Sequence, residues 1–530
     1  MSTIRTIKSI KLTGIHPVPV TIETEYNESG IGIHLVGLAD VAVKESLLRT
    51  ITAMQSCGYL LPGKKIVINI APADLHKSGA IFDLGIALSL IASTRQDGNM
   101  LDRMEEFLVV GELSIDGYVR PVSCALQAIE AGEALDNIKG IIVPFANIDE
   151  VSVSAERYKK PVFAVTNLTE AIHVISGAEG PVNLVGQRIK DRFHELTSIQ
   201  ESNEPSKPRW DTIKGQDGAK RAAEIAVAGG HGLLLVGAPD SGKSFLAGAI
   251  VDIMPPMDDA TAVEVGKIYS VAGRGDYWSY RTPDIHRYRM PHWSASTDAL
   301  LGGGHGDIIL PGEVSLAHGG VLHIEDYIEM PKSVQDAICA VYEDKQVVIS
   351  RLKEKVTFPA DFQLVLSTPM CPCGFYGESE RCSCTLHQRS LWLQKLYSGR
   401  LYDKIAIQAW VHAPTECEIM PEGEQLAAAV KKRIIAAIKM QQRRYEGTVY
   451  KRNDSVLAKD ILSLFNVEQE AQGMANTLIE RMELAPSSFS TIMKIARTIA
   501  DLTGEETVKP VHVSEAVAYR FLDRRVNKNK

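Results

Sequence analysis

Leu233-Leu234-Leu235-Val236-Gly237-Ala238-Pro239-Asp240-Ser241-Gly242-Lys243-Ser244 carries the strongest fold signal in this chain of 530 residues. The four apolar residues read as a buried strand and residues 244–254 as a helix, stopped by Pro255-Pro256. Strand, glycine loop and helix in that order are the context a phosphate-binding loop needs. Glycines let backbone N–H groups close around phosphate oxygens, and the helix start adds positive potential. Gly237, Ala238, Pro239, Asp240, Ser241, Gly242, Lys243 and Ser244 are therefore the candidate nucleotide-binding residues. Lys243 would reach the β- and γ-phosphates of ATP, and Ser244 would hold Mg²⁺. Asp240 adds a negative charge among the expected neighbours of the phosphates, where a neutral glycine is commoner.

A nucleotide-hydrolysing site also needs an acidic strand end. Val321-Leu322-His323-Ile324-Glu325-Asp326 is the good candidate. The usual order is Asp then Glu, and here it is reversed. Glu325 would hold Mg²⁺ through a water, and Asp326 would reach less far toward an attacking water. His323 is expected to pack in the strand.

Outward from this centre, the length predicts about three domains at roughly 150 residues each. The composition is globular, with 45% hydrophobic and 23% charged residues, which excludes a disordered or collagen-like chain. Lys and Arg number 57 against 65 Asp and Glu, a net charge of −8. That argues against coating nucleic acid by bulk charge but allows a local basic surface. No apolar run reaches the roughly 18 residues of a membrane helix, and no secretory signal is visible, so a cytoplasmic protein is expected. Residues 1–193 alternate strand-like runs (31–38, 65–70, 107–113, 141–143, 162–165) with helical ones (41–55, 82–92, 125–135, 168–176), and Asp116-Gly117 reads as a hairpin turn. The polar stretch 198–208 reads as a linker. A second α/β pattern starts near Trp210, and beyond Ala413 the pattern is nearly all helical, with Pro414 and Pro421 marking the change.

Four of the eight cysteines cluster as Cys371-Pro372-Cys373 and Cys382-Ser383-Cys384. Four thiols within 14 residues suit a closed tetrahedral Zn²⁺ site of structural type, with His387 as a substitute ligand. A redox pair or spare thiols are the alternatives. Cys57, Cys124, Cys339 and Cys417 stand alone and read as core thiols.

Several stretches together resemble the bacterial magnesium-chelatase-like AAA+ ATPases of the ComM/YifB type. They are IKGQDGAKRAAEIAVAGGHGLLLVGAPDSGKS (213–244), MPHWSASTDALLGGG (290–304), PGEVSLAHGGVLHIED (311–326), ISRLKEKVTFPADFQLV (349–365) and KIARTIADL (494–502). GIGIHLVGLADVAVKES, INIAPADLHKSGAIFDLGIAL and GELSIDGYVRPV are similar to the Lon-protease-like domain of that family. The resemblance implies an α/β multidomain fold. Its parts are a non-proteolytic Lon-protease-like domain (1–195), a linker (196–209), a P-loop AAA+ core (210–412) with the Cys₄ insert at 371–384, and a helical magnesium-chelatase-type C-terminal domain (413–530). It also implies a homo-oligomeric, hexameric ring, with ATP-driven DNA branch migration as the best-studied activity of the family.

The chain departs from the family pattern at four places. The acidic pair is reversed. Thr368-Pro369 replaces the Asn that senses γ-phosphate. Lys404 stands where the family has the Arg donated to a neighbouring subunit's site, keeping the charge but not the bidentate fork. Ser487 replaces an Arg upstream of the 494–502 helix. An arginine finger is worth about 10³–10⁵ in rate, so these changes bear on turnover unless Arg400, Arg497 or Lys404 compensates. Lys243, Glu325, Asp326 and Lys404 are the candidate catalytic set, and Ser244 with Glu325 the candidate Mg²⁺ ligands.

A Lon-like fold invites a Ser–Lys peptidase, but those positions fall at Ile81 and near Leu126, both apolar; Lys77 and Ser78 read as surface residues. No proteolytic substrate is expected. Residues 431–452 carry eight Lys and Arg against Glu446. Lys431, Lys432, Arg433, Lys439, Arg443 and Arg444, with Tyr445 and Tyr450 interleaved, would suit DNA phosphates or form a merely solvated face. Arg524, Arg525, Lys528 and Lys530 read as a tail. Three functions stay open: a DNA-remodelling ATPase of branch-migration type, a nucleotide-gated scaffold with weak or absent hydrolysis, and a metal-chelatase motor subunit.

Overall fold

The computed structural model describes residues 4–27, 29–36, 41–72, 79–94, 101–152, 155–177, 179–202, 207–273, 286–304, 309–350, 355–376, 381–412, 423–482, 484–485 and 488–523. Lys77, Ser78, Pro414, Cys417, Pro421, Ser487 and the basic residues of 524–530 lie outside them.

The first sheet has seven strands in the order Gly32–Val36, Lys65–Ala71, His16–Asn27, Arg5–Thr13, Phe107–Val109, Gly140–Pro144 and Val162–Val165. Its half containing Arg5–Thr13, His16–Asn27 and Lys65–Ala71 is antiparallel, and the remaining pairings are parallel. The helix Asp83–Ser93 is buried along its whole length, so its near-continuous apolar sequence follows from being covered all round. The run expected as one strand over 107–113 divides in two. Glu112–Leu113 leaves the main sheet and forms a hairpin with Val119–Arg120. Asp116-Gly117 makes the turn, Gly117 having a φ of +84°.

The helix Glu179–Ser202 runs into the stretch expected to be linker, so residues 196–202 are helical. A second sheet follows in the order Tyr288–Arg289, Val321–Ile324, Gln363–Thr368, Gly232–Val236, Ile405–Trp410, every pair parallel. Its three central strands are buried on both faces, as parallel strands between helices must be. Beyond residue 422 the described chain is helical, with Ala427–Arg444, Gln469–Arg481, Ser488–Leu502 and Pro510–Ala518 the principal elements. These pack on the helix Asp217–Gly229 and extend the core around Leu233 and Leu235. The chain then returns to the sheet edge, where Gln408 N donates to Tyr519 O at 3.0 Å.

The two sheets are joined by an apolar seam. Ile15, at the turn of the first hairpin, packs with Ile268 and Tyr269 of the helix Asp259–Val271 and with Val356 and Phe358 of the strand Lys355–Pro359. Polar bonds flank it. Gln127 Nε2 donates to Lys267 O at 3.2 Å, Lys267 pairs with Glu130 at 2.6 Å, and Arg157 pairs with Asp259 at 2.7 Å.

Candidate nucleotide site

The loop at 237–244 leaves the carboxyl end of Gly232–Val236, which sits between Gln363–Thr368 and Ile405–Trp410. Ligands of parallel α/β sheets bind at such strand ends, where the connections diverge to either side. Gly242 takes a φ of +92° directly before the helix Lys243–Ala249, and Asp240 a φ of +60°. Asp240 is exposed, so its charge meets solvent.

Lys243 is 8% exposed and folds onto the loop, its Nζ donating to the carbonyls of Gly237 at 3.0 Å and Ala238 at 2.6 Å. Burial lowers its pKa, opposed by the nearby carboxylates of Asp326, Glu325 and Asp240. An ammonium largely removed from water and held on carbonyl dipoles is ready to exchange them for phosphate oxygens. Ser241 Oγ is buried without a hydrogen-bond partner, an orphan polar atom inside the loop. Ser244 Oγ donates a short hydrogen bond to Glu325 Oε1, 81 positions away in sequence. The hydroxyl and the carboxylate expected to share Mg²⁺ thus meet at one point, and the residues fit that ion. Asp326, with a φ of +47°, has its pKa raised by burial and then by Glu325.

His323 lies wholly buried in its strand, as expected. Its Nδ1 bonds Tyr288 Oη at 2.7 Å and its Nε2 bonds Ser367 Oγ at 2.9 Å. Burial, then Lys243, pushes its pKa down to about 3, so the ring is neutral. This Tyr288–His323–Ser367 chain under the site was not foreseen, since its members come from three strands.

Thr368 stands next to Val236 across the sheet, fully buried, with Oγ1 donating to Pro369 O at 3.2 Å. Its hydroxyl is therefore turned onto its own chain. Lys404 lies at the opposite end of the sheet from the loop. It precedes Ile405, which pairs with Gly232, whereas Trp410 pairs with Val236. Four strand steps of about 3.3 Å put it well over 10 Å from its own loop, and it forms an ion pair with Glu343. Arg497 is fully buried among the C-terminal helices, bonded to Asp501 at 3.0 Å and to the carbonyls of Phe465, Glu506 and Glu505. Arg400 is exposed.

The four clustered thiols converge, with sulfur atoms all within 4.8 Å of one another. Cys371 and Cys373 are 3.3 Å apart, Cys373 and Cys382 3.6 Å, and Cys371 and Cys382 3.9 Å. Zinc–sulfur bonds of about 2.3 Å arranged tetrahedrally put sulfurs about 3.8 Å apart, so the set fits that ion. His387 is exposed and outside the cluster. Cys124 and Cys339 are buried, while Cys57 is only partly so.

The basic face is narrower than expected. Arg433 pairs with Glu224 at 2.7 Å, Arg444 is held by Asp501, and Tyr445 is buried with its hydroxyl on Asn453 at 2.6 Å. Lys432, Lys439 and Arg443 remain exposed, and spacings of seven and four put them on one helix face. In the first sheet, Ile81 packs into apolar core and Leu126 joins the seam between the sheets. Near them lies an unforeseen buried group: Asp83 accepts from Ser46 Oγ, from Leu113 N at 3.1 Å and from Arg49 Nε at 2.9 Å.

Comparison with known proteins now adds to this geometry. The family described as magnesium chelatase, subunit ChlI, matches residues 209–419. The descriptions subunit ChlI of Mg-chelatase and subunit ChlI C-terminal match 22–147 and 424–520. The uncharacterized protein YifB of Escherichia coli K12 is 34% identical over 522 residues, with 96% of each chain covered. Competence protein ComM of Haemophilus influenzae is 31% identical over 523 residues, with 97% of each covered. An uncharacterized protein of Mycobacterium bovis is 30% identical over 516 residues, with 97% of each covered. With its sheet order, loop and matches from end to end, the chain belongs to the ComM/YifB-type magnesium-chelatase-like family of AAA+ ATPases.

Proposed function

We propose that this chain is a ring-forming AAA+ ATPase that remodels DNA, with residues 237–244 as its ATP site. The observation that carries the reading is the meeting of Lys243, Ser244 and Glu325 at the carboxyl ends of two strands of one parallel sheet. In this reading Lys243 leaves the carbonyls of Gly237 and Ala238 for the β- and γ-phosphates. Ser244 and Glu325 hold Mg²⁺, which when bound neutralises charge between those phosphates. Asp326 orients the attacking water, and the neutral His323 keeps the strand end rigid. Lys404, remote from its own loop, acts in the site of a neighbouring copy, as a ring requires. Lys432, Lys439 and Arg443 offer DNA phosphates a stripe about 16 Å long on one helix. Six copies would multiply a weak stripe into useful affinity.

The domain division near residues 195, 209 and 412 belongs to this proposal. So do a Lon-protease-like but non-proteolytic first unit, a C-terminal helical lid, Zn²⁺ on Cys371, Cys373, Cys382 and Cys384, and a cytoplasmic setting. The apolar Ile81 and Leu126 support the loss of peptidase chemistry.

One observation favours a second reading, a nucleotide-gated scaffold with little turnover. The Thr368 hydroxyl is satisfied on Pro369 and Lys404 is satisfied on Glu343, so both polar groups must leave partners to assist hydrolysis. The test is to record mass and phosphate release as ATP is titrated, with and without forked DNA. The motor reading expects phosphate release stimulated by DNA and lost in Lys243→Ala. Assembly without phosphate release supports the scaffold reading, and absence of DNA binding at low salt removes the DNA role.

A further inference from the structure

The cysteine cluster adjoins the nucleotide loop. Gly374 N donates to Cys371 O at 2.9 Å, closing the turn that carries the first two thiols. A Cβ on Gly374 would lie 2.7 Å from Pro239 Cδ and 2.8 Å from its Cγ, so the turn rests directly on the phosphate loop. Gly374 has a φ of +86°, a conformation that a side chain also resists.

Two further links run from the cluster to the same strand ends. Trp392 Nε1 donates to Pro369 O at 2.9 Å, next to Thr368. Tyr376 stacks on Trp410 at 6.5 Å with 12° between planes, and Trp410 is the sheet neighbour of Val236. Arg389 ties this side to the sulfurs, its guanidinium 5.3 Å from the centre of the Tyr376 ring and its Nη2 3.2 Å from Cys382 Sγ. Gly374, Trp392 and Tyr376, on the segments around the thiols, therefore touch Pro239 within the loop and Pro369 and Trp410 beside it.

We propose that the four-cysteine knuckle is a positioning element for the phosphate loop, so that metal occupancy and nucleotide affinity are coupled. A bound metal fixes the Cys371–Gly374 turn, and the turn fixes Pro239, on which the spacing of the loop's N–H groups depends. Without the metal the turn loses its cross-link and the loop must be ordered by the nucleotide alone, which weakens binding. Because coupling between two binding events is reciprocal, nucleotide must also strengthen metal retention. This inference rests on the nucleotide reading of 237–244.

The experiment uses the full chain, Zn²⁺, Mg²⁺ and a fluorescent, slowly hydrolysed ATP analogue. The Zn²⁺-stripped chain should bind the analogue about tenfold more weakly than the loaded chain, with Zn²⁺ restoring affinity. Saturating analogue should reduce the Zn²⁺ captured at equilibrium by a fixed amount of chromogenic chelator, and Lys243→Ala should abolish that protection. Gly374→Ala should weaken analogue binding by a similar factor, since its Cβ presses on Pro239 and resists the turn. Equal affinity in stripped and loaded chains, with binding still lost in Lys243→Ala, would overturn the coupling and leave the nucleotide site intact. Gly374→Ala binding within twofold of the parent overturns it as well. No binding by the loaded parent overturns the nucleotide reading itself.

Discussion

The two sheets of this molecule are built by similar rules and serve different ends. In the second sheet, polar groups gather where parallel strands finish: Lys243 and Ser244 after one strand, Glu325 and Asp326 after another, Thr368 closing a third. Beside the first sheet, Ile81 and Leu126 pack against apolar neighbours. One of the buried carboxylates there, Asp83, is taken up by Ser46, Arg49 and Leu113. The second sheet thus keeps polar atoms at its strand ends poised for exchange with a ligand, whereas the Asp83 carboxylate is bound within its own unit. A shared α/β architecture says little about chemistry until the partners of each polar atom are known.

The comparison breaks most visibly through paired substitutions. Lys243→Ala should reduce affinity for an ATP analogue by about 100-fold or more, since a charge-assisted contact to phosphate is lost, while leaving the melting temperature within a few degrees. Asp83→Ala should do the reverse. Removing the carboxylate leaves the buried Ser46 hydroxyl and Leu113 N–H without an acceptor, at a cost of about 3 kcal/mol in stability by denaturant titration, with analogue affinity unchanged. If Asp83→Ala weakens nucleotide binding as strongly as Lys243→Ala, the two sheets are not functionally separate.

Turnover sharpens the contrast within the second sheet. Thr368→Asn gives the strand end an amide in place of a hydroxyl turned onto Pro369, and should raise phosphate release about tenfold if a γ-phosphate sensor is what is missing. Lys404→Arg should raise it too, but only at protein concentrations where copies assemble, because this position is remote from its own loop. An effect of Lys404→Arg that is independent of concentration would contradict action between copies.

The last contrast concerns acid stability. Burial holds the pKa of His323 and of His231 down to about 3, far below the unfolded value near 6.5. The unfolded chain therefore binds more protons between those limits, and stability falls as pH drops from about 6.5 toward 3. The slope is about 1.4 kcal/mol per pH unit for each ring. His323→Asn should flatten the dependence of unfolding free energy on pH over that window. An unchanged slope would mean that the ring is already protonated in the native state.

Much of the second sheet was legible because its signals are local. A strand, a glycine loop and a helix follow one another within about twenty residues, and the four thiols lie close in sequence. Glu325 was legible because an acidic pair closes the strand-like run Val321–Ile324 downstream of the loop. The initial hairpin was not. His16–Asn27 carries Pro17 and Pro19, which argue against a central strand, yet both lie before Thr21, where pairing with Lys65–Ala71 begins. Their missing N–H groups thus fall on the part of the strand that has one neighbour. The basic face is narrower than the sequence suggests because sequence gives the side of a helix but not the partner of a charge: Arg433 and Arg444 pair with the buried carboxylates of Glu224 and Asp501. Contacts such as Pro239 with Gly374, or His323 with Tyr288 and Ser367, join segments tens to more than a hundred residues apart, and no spacing rule reports them.

The most direct test is titration calorimetry of the magnesium complex of a slowly hydrolysed ATP analogue into the full chain. Saturable heat with one analogue per chain, absent in a folded Lys243→Ala protein, is the predicted result. A folded parent chain that gives no heat of binding, or a Lys243→Ala chain that binds as well as the parent, would contradict the assignment of residues 237–244 as the nucleotide site.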